Sequence, residues 1–245
     1  MAWYPAATKW ELQPESDSQP AIRPTQFIVH SIIAPWTAKR VFEYWRDSTN
    51  LESHFGLGYE GDLGQFIGTQ TRADANYNAN RRPDGTGAVS CETASNTKGT
   101  DPWTDEQIEQ LIRLGVWLHQ MHDIPLRICR TGADPGFGYH RLHADWSPSG
   151  TACPGDARVK QFKEQVFPGI VARANGATPT QEDDMDPIDV LRYRNAKQDA
   201  AQVKKDGKHI PDVYGYITGI SRDVAALRTE VAALTKAVAA LVKKG

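Results

Sequence analysis

Phe27-Ile28-Val29-His30-Ser31-Ile32-Ile33 is a short run of mostly apolar, often β-branched residues that follows Pro24. A run of this length is too short for a buried helix and predicts a buried strand. A strand of this kind commits the chain to a sheet with a core against it. His30 interrupts the apolar run. A single histidine there is more often a hydrogen-bonded core residue than a ligand, so His30 needs partners elsewhere before it signifies chemistry.

The neighbouring segments supply a mixed set of elements. Residues 1–24 are rich in Pro, Ser and Gln and read as an irregular arm. Residues 37–50 carry Val41, Phe42 and Trp45 at helical spacing, with Thr37 as a helix N-cap. Ser53–Gly58 and Gly64–Gly68 read as two strands joined by the turn Tyr59-Glu60-Gly61-Asp62, a hairpin. Residues 71–86 are polar and asparagine-rich, a loop long enough to be functional or mobile. Ala88–Thr93 reads as another strand with Glu92 near its end. Thr104-Asp105-Glu106-Gln107 has the pattern of a capping box, and Ile108, Leu111, Ile112, Gly115 and Leu118 form the apolar face of the helix it opens. His119 and His122 close that helix, where cationic groups are favoured by the dipole. Residues 159–171 predict a further helix with Phe162, Val166 and Phe167 inward. Strands interleaved with helices predict an α/β domain: a mixed central sheet flanked by helices.

After Ala172 the composition changes. Residues 173–212 read as a linker, acidic at first, with a short helix over 189–203. Residues 213–245 carry a heptad seam: Ile217, Val224, Val231 and Val238 at a, and Val213, Ile220, Leu227, Leu234 and Leu241 at d. This predicts a C-terminal coiled coil and, through it, a homo-oligomer of low order. The domain reading is therefore residues 1–172 for the main domain, 173–212 for the linker and 213–245 for the coil.

Composition excludes several functions. The 245 residues carry a net charge of -2, which points to no nucleic-acid partner. No apolar run reaches the ~20 residues of a membrane span. The first residues lack a basic segment followed by an apolar one, so no secretory signal is expected and synthesis in a cytoplasm is. Three cysteines, Cys91, Cys129 and Cys153, are too few and odd in number for a disulfide framework. Cys91 and Cys129 read as small buried hydrophobes.

Cys153 is different, because it lies with His140 and His143 in the stretch 138–156, which reads as a loop rich in Gly, Ser and Pro. Imidazole and thiolate are ligands that zinc prefers, and a third must come from elsewhere in the chain.

Taken together, Ile28-Val29-His30, Glu52-Ser53-His54-Phe55, Ala73-Asp74-Ala75-Asn76, Val89-Ser90-Cys91-Glu92-Thr93, Trp103-Thr104-Asp105, Gly138-Tyr139-His140-Arg141 and Cys153-Pro154-Gly155-Asp156 resemble, in order and spacing, the zinc-dependent N-acetylmuramoyl-L-alanine amidases. The branch in question includes phage endolysins and peptidoglycan recognition proteins, and the nearest likeness is to endolysins of actinobacterial phages. It covers about residues 1–170. The resemblance implies one zinc ion held by two histidines and a cysteine: His30, His140 and Cys153. A count back from the cysteine favours His143 for the middle ligand, since the commoner spacing is shorter than the thirteen residues from His140. The Gly-Tyr-His signature followed by a longer insertion favours His140, which is the choice made. The resemblance also implies Glu92 as the carboxylate that takes the water proton. Two departures stand out. Ser53 replaces a tyrosine of some relatives, which shifts the burden to Glu92. Thr151 replaces a lysine, leaving a hydroxyl that can donate to an oxyanion but brings no charge. His54 is expected to point into the core.

The resemblance thus implies a phage endolysin that cleaves the amide between N-acetylmuramic acid and L-alanine in peptidoglycan. Such an enzyme is made in the host cytoplasm and reaches the wall after a holin-type release. The alternative is a peptidoglycan-binding recognition module without turnover. Binding-only members usually lack the cysteine ligand, and Cys153 is present.

Overall fold

The computed structural model describes residues 2–46, 52–176 and Val231. The chain divides into two units, Met1–Ala177 and Thr178–Gly245. The expected linker from residue 177 onward and the expected coiled coil lie outside the described residues, apart from Val231, which is helical and exposed. Among the described residues no helix is long and apolar enough to cross a membrane.

The first unit is built on a six-stranded mixed sheet: β1 (Thr8–Lys9), β2 (Arg23–Ser31), β3 (Phe55–Leu57), β4 (Leu63–Gln65), β5 (Thr86–Thr93) and β6 (Gly136–Tyr139), in the spatial order β1-β4-β3-β5-β2-β6. β2 is an inner strand and runs parallel to β5 on one side and to the edge strand β6 on the other. β3 is parallel to β5 and antiparallel to β4, the expected hairpin. The helices are α1 (Glu15–Ser18), α2 (Ala38–Arg46), α3 (Asp105–His122), α4 (Asp156–Gln161) and α5 (Phe167–Ala174), with a π-helical turn over Phe162–Val166 joining the last two.

Two sequence expectations are corrected here. The arm 1–24 is not irregular throughout. Thr8–Lys9 adds a parallel strand beside β4, and Trp10 N–H and Leu12 N–H continue the pairing onto the Gln65 and Phe66 carbonyls at 2.9 Å. The stretch beginning at Gly138 is not wholly loop. Gly136-Phe137-Gly138-Tyr139 is strand β6, which glycine content hid from a propensity reading.

Alternation along β2 divides the core. Phe27 and Val29 point to one face, where Val89, Phe55, Leu57, Phe137 and Tyr139 meet Leu111, Leu114 and Leu118 of α3 and Phe162, Val166 and Ile170 of the last helical segment. Each large apolar side chain buried there contributes roughly 1.5–3 kcal/mol. Ile28 points to the other face, against Ala79, Ala88 and Trp146. His30 has the parity of Ile28 and so leaves the sheet on the face without α3. The α3 N-terminus is closed as expected: Thr104 Oγ1 accepts from Gln107 N–H at 3.2 Å, and the Gln107 side chain accepts from Thr104 N–H at 3.2 Å.

Candidate active site

Three parallel strands, β6, β2 and β5, end at the same edge of the sheet, the position where open α/β sheets place their ligands. His30 lies one residue before the end of β2. Register sets it opposite Glu92 on β5, and Val29 opposite Tyr139 on β6, so that His140 emerges just beyond β6. Gly138 permits this: a Cβ there would meet the Trp146 ring at 2.6 Å. Cys153 is carried in by the loop that leads to α4. Its carbonyl accepts from Arg141 N–H at 3.0 Å, which ties it to the residue after His140. Gly155, at φ +99°, completes the turn into α4, and a Cβ there would meet the Gly99 carbonyl oxygen at 2.3 Å.

His30, His140 and Cys153 come together. One ligand atom from each lies within 4.8 Å of the others, and the two imidazole centroids are 4.3 Å apart. Hydrogen bonding fixes how the rings present themselves. His30 Nε2 donates to Asn76 Oδ1 at 2.8 Å, and His140 Nε2 donates to the Trp146 carbonyl at 3.0 Å. An oxygen acceptor on Nε2 requires that nitrogen to carry the proton. Both rings are thereby left with a lone pair on Nδ1. Cys153 Sγ accepts from Ser31 N–H at 3.1 Å.

Burial sets the charge state of the three side chains. Burial pushes the His30 pKa down to about 3, and the adjacent His140 adds to this, so His30 is a neutral donor. Burial also lowers His140 and raises the Cys153 thiol, to which the Glu92 charge adds. Two neutral imidazoles beside a thiol that gives up its proton to a metal are a donor set that suits zinc.

Glu92 Oε1 is 3.7 Å from His30 Nδ1. Its side chain is 16% exposed, and burial raises its pKa to about 8 against the opposing charge of Arg158. Glu92 Oε2 is shielded and has no hydrogen-bond partner among the described residues.

Thr151 Oγ1 accepts from the backbone N–H of Cys153 at 3.1 Å, which ties Thr151 to the loop of the thiol. His143 does not join the cluster. Its Nε2 donates to the Cys129 carbonyl at 2.9 Å and its ring stands edge-on to Trp146. His54 is fully buried, as expected, and donates from Nε2 to the Thr71 carbonyl at 2.9 Å while Nδ1 accepts from Ser90 N–H at 3.1 Å. His119 and His122 remain at the end of α3, bonded to the Ile124 carbonyl and to Thr69 Oγ1. Cys91 and Cys129 are buried free thiols.

Two residues escaped the sequence reading as members of the site. Asn76 orients His30 from the asparagine-rich loop. Arg158, on α4 and wholly buried, donates to Ser31 Oγ and Thr93 Oγ1 at 2.8 Å each, to the Ala94 carbonyl at 2.7 Å and to the Asp101 carbonyl at 2.9 Å, and pairs with Asp101 Oδ2 at 3.1 Å. Ser31 Oγ in turn donates to the Pro154 carbonyl at 2.9 Å. One guanidinium thus clamps the strand ends of His30 and Glu92 to the loop of Cys153.

The sequence of residues 20–156, more than half of the chain, matches the family Amidase_2, described as N-acetylmuramoyl-L-alanine amidase. The chain belongs to that family. This amidase carries its site residues from His30 to Cys153 within the matched segment. Among solved structures it is similar to PlyL, with a TM-score of 0.51 and 17% identity over 70% of this chain and 98% of that one. It is equally similar to the PlyG catalytic domain, with a TM-score of 0.51 and 17% identity over 71% and 97%. The endolysine N-acetylmuramoyl-L-alanine amidase LysCS from Clostridium intestinale URNW aligns with a TM-score of 0.48 and 16% identity over 70% and 96%. Identities this low speak to the fold of the amidase alone. A search of curated proteins finds no match.

Proposed function

We propose that this amidase is a zinc-dependent, endolysin-type enzyme that hydrolyses the amide between N-acetylmuramic acid and L-alanine in peptidoglycan and so lyses a host wall. The observation that carries this reading is the convergence of His30, His140 and Cys153 within 4.8 Å beside a buried carboxylate oxygen of Glu92 that has no hydrogen-bond partner among the described residues. Three protein donors are the number found in catalytic zinc sites, against four in structural ones.

His30, His140 and Cys153 would hold the zinc. Bound there, zinc would lower the pKa of a water to about 7 and polarise the amide carbonyl. Glu92 takes the proton of the attacking water and returns it to the departing alanine nitrogen. Thr151 donates its hydroxyl proton to the oxygen that gains charge as the carbonyl carbon becomes tetrahedral. Asn76 and the Trp146 carbonyl keep the two imidazoles in the metal-facing tautomer. Arg158 positions the strand ends.

The heptad seam of residues 213–245 supports assembly into a homo-oligomer, which raises avidity for a polymeric wall by effective concentration. The catalytic domain comprises residues 1–172, joined through 173–212 to that seam. In this reading the protein is made in the cytoplasm of a phage-infected actinobacterium and meets the wall after a holin-type release.

Mass spectrometry of digested peptidoglycan tests the reading. Wild type should release intact stem peptides with a free L-alanine amine and leave unsubstituted muramic acid. Glu92→Ala with zinc bound should release neither. Products cut at a glycosidic bond or within the stem would overturn the assignment.

A further inference from the structure

Gln26, Ile28 and His30 alternate with their neighbours along β2 and so share one face of the sheet. Ile28 lies in one apolar cluster with Trp146, whose side chain is wholly buried. The Trp146 carbonyl accepts from His140 Nε2 at 3.0 Å. This tryptophan therefore joins the middle of the strand face to the second imidazole. What holds its ring lies at the start of the strand, around Gln26, about 13 Å back from His30 at the rise of an extended chain.

Three donors converge there on the Gly132 carbonyl: Trp146 Nε1 at 2.9 Å, Gln26 Nε2 at 3.0 Å and one terminal nitrogen of Arg82 at 2.8 Å. The same Arg82 nitrogen donates to Gln26 Oε1, and Gln26 Nε2 donates again to the Asp134 carbonyl at 2.7 Å. Both hydrogens of that nitrogen and both of the buried Gln26 amide are in use, so the network closes on itself. The guanidinium supplies its charge-assisted bonds, about twice as strong as neutral ones. Arg82 is in turn fixed by the turn that opens β5: its N–H donates to the Thr86 carbonyl at 2.7 Å, and its carbonyl accepts from Gly85 N–H at 2.9 Å.

An indole has a single donor, so the Gly132 carbonyl decides where the Trp146 ring can lie. The ring has little slack. A Cβ on Gly138 would meet it at 2.6 Å, and the His143 ring stands edge-on to it with centroids 4.9 Å apart. Trp146 also ends the short helical turn Ala144–Trp146, with its N–H on the His143 carbonyl at 3.2 Å. A displaced Gly132 carbonyl would therefore be felt, through a rigid ring, at the carbonyl that His140 uses.

We propose that Arg82 is a positioning residue for His140: it fixes the Gly132 carbonyl, which fixes the Trp146 indole, and so aims the Trp146 carbonyl that keeps the His140 proton on Nε2 and leaves Nδ1 bare. Its side chain acts on one imidazole only, because His30 takes its orientation from Asn76. The consequence for metal binding rests on the zinc reading above; the consequence for the tautomer does not.

The test reads the two imidazoles separately, from nitrogen-15 spectra of the ring nitrogens in metal-free protein at neutral pH. In wild type both rings should carry the proton on Nε2. In Arg82→Met, His140 should become a mixture of tautomers while His30 keeps its wild-type pattern. Trp146→Phe, which keeps a ring and removes its N–H, should do the same to His140. Zinc affinity, measured against a chromophoric chelator, should fall about tenfold in each variant. The double variant should also fall about tenfold and not about a hundredfold, since both changes break one chain of contacts. Arg82→Lys, which keeps the charge but not the planar fork, should give the same pattern at smaller size and replaces Arg82→Met if that variant does not fold. An unchanged His140 spectrum, equal disturbance of His30 and His140, or additive losses in the double variant overturns the proposal. If wild type binds no zinc, it is the zinc reading that fails, and the spectra alone then decide the proposal by the same criteria.

Discussion

Asn76 Oδ1 accepts the Nε2 proton of His30 at 2.8 Å, inside the protein and with both residues almost wholly buried. The amide oxygen decides which nitrogen of the imidazole is bare. Replacing Asn76 with Ala removes the acceptor and frees the ring to turn or change tautomer. Zinc affinity should fall about 10–100-fold, as for other residues that orient a metal-binding histidine. Competition with a chromophoric chelator measures this directly. Unchanged affinity in Asn76→Ala would separate the contact from metal binding.

Glu92→Gln keeps the shape of the side chain and removes its basicity. Zinc content should stay near wild type while kcat falls by about 10²–10⁴. Thr151→Val, which removes only a hydroxyl, should cost less, and Thr151→Ser should restore most of the rate. A Glu92→Gln protein that hydrolyses muramoyl-alanine at the normal rate would move the proton transfer elsewhere.

His54 provides a pH dependence of stability. Its Nδ1 accepts from Ser90 N–H, so a second ring proton would meet a donor, and burial holds the pKa down to about 4. In the unfolded chain the value returns to about 6.5. Between those limits the unfolded state binds a proton that the folded state refuses. Stability is therefore complete above about pH 6.5 and is lost as the pH falls towards 4, by roughly 3 kcal/mol in all. Urea titrations of wild type and His54→Gln across this range should show a shallower acid limb in the variant. Parallel limbs would assign the loss to other groups.

Arg158→Met should destabilise the domain by about 3 kcal/mol or more, because Ser31, Thr93 and Ala94 lose a charged donor at once and Asp101 loses the cation it pairs with. Arg158→Lys keeps the charge but not the fork, and should recover only part of the loss. In cobalt-loaded protein the sulfur-to-metal absorption band of Arg158→Lys should shift, since Ser31 positions both the Cys153 thiol and its loop. A band identical to wild type would confine Arg158 to stability.

The sequence made the donors legible and the clamps obscure, for physical reasons. His30 stands out because a histidine in an apolar strand demands an explanation, and Cys153 because it lies outside any apolar run. The hairpin and the capping box of α3 are short-range patterns that act through neighbouring residues. Asn76 works across 46 positions of sequence, from a loop whose composition gives no sign of which asparagine turns inward. Arg158 left one trace: it stands four residues before Phe162 and eight before Val166, on the buried face of its helix. Charge concealed that, because an arginine inside a core is intelligible only once its acceptors on β2 and β5 are known. Strand β6 was hidden for another reason. Its two glycines make room for close packing, and that same choice removes the side chains by which a strand is recognised.

The docking of Thr8–Lys9 beside β4 has a bearing on handling the protein. β4 is a three-residue strand with a row of backbone groups that would otherwise face solvent, and an open strand of this kind pairs readily with a second molecule. The arm occupies that row from Thr8 to Leu12 and carries Leu12 into the small core formed by Val41, Trp45 and Phe66. Residues 2–12 thus work as a built-in guard against self-association, and trimming them would expose a sticky margin along the side of the sheet opposite β6.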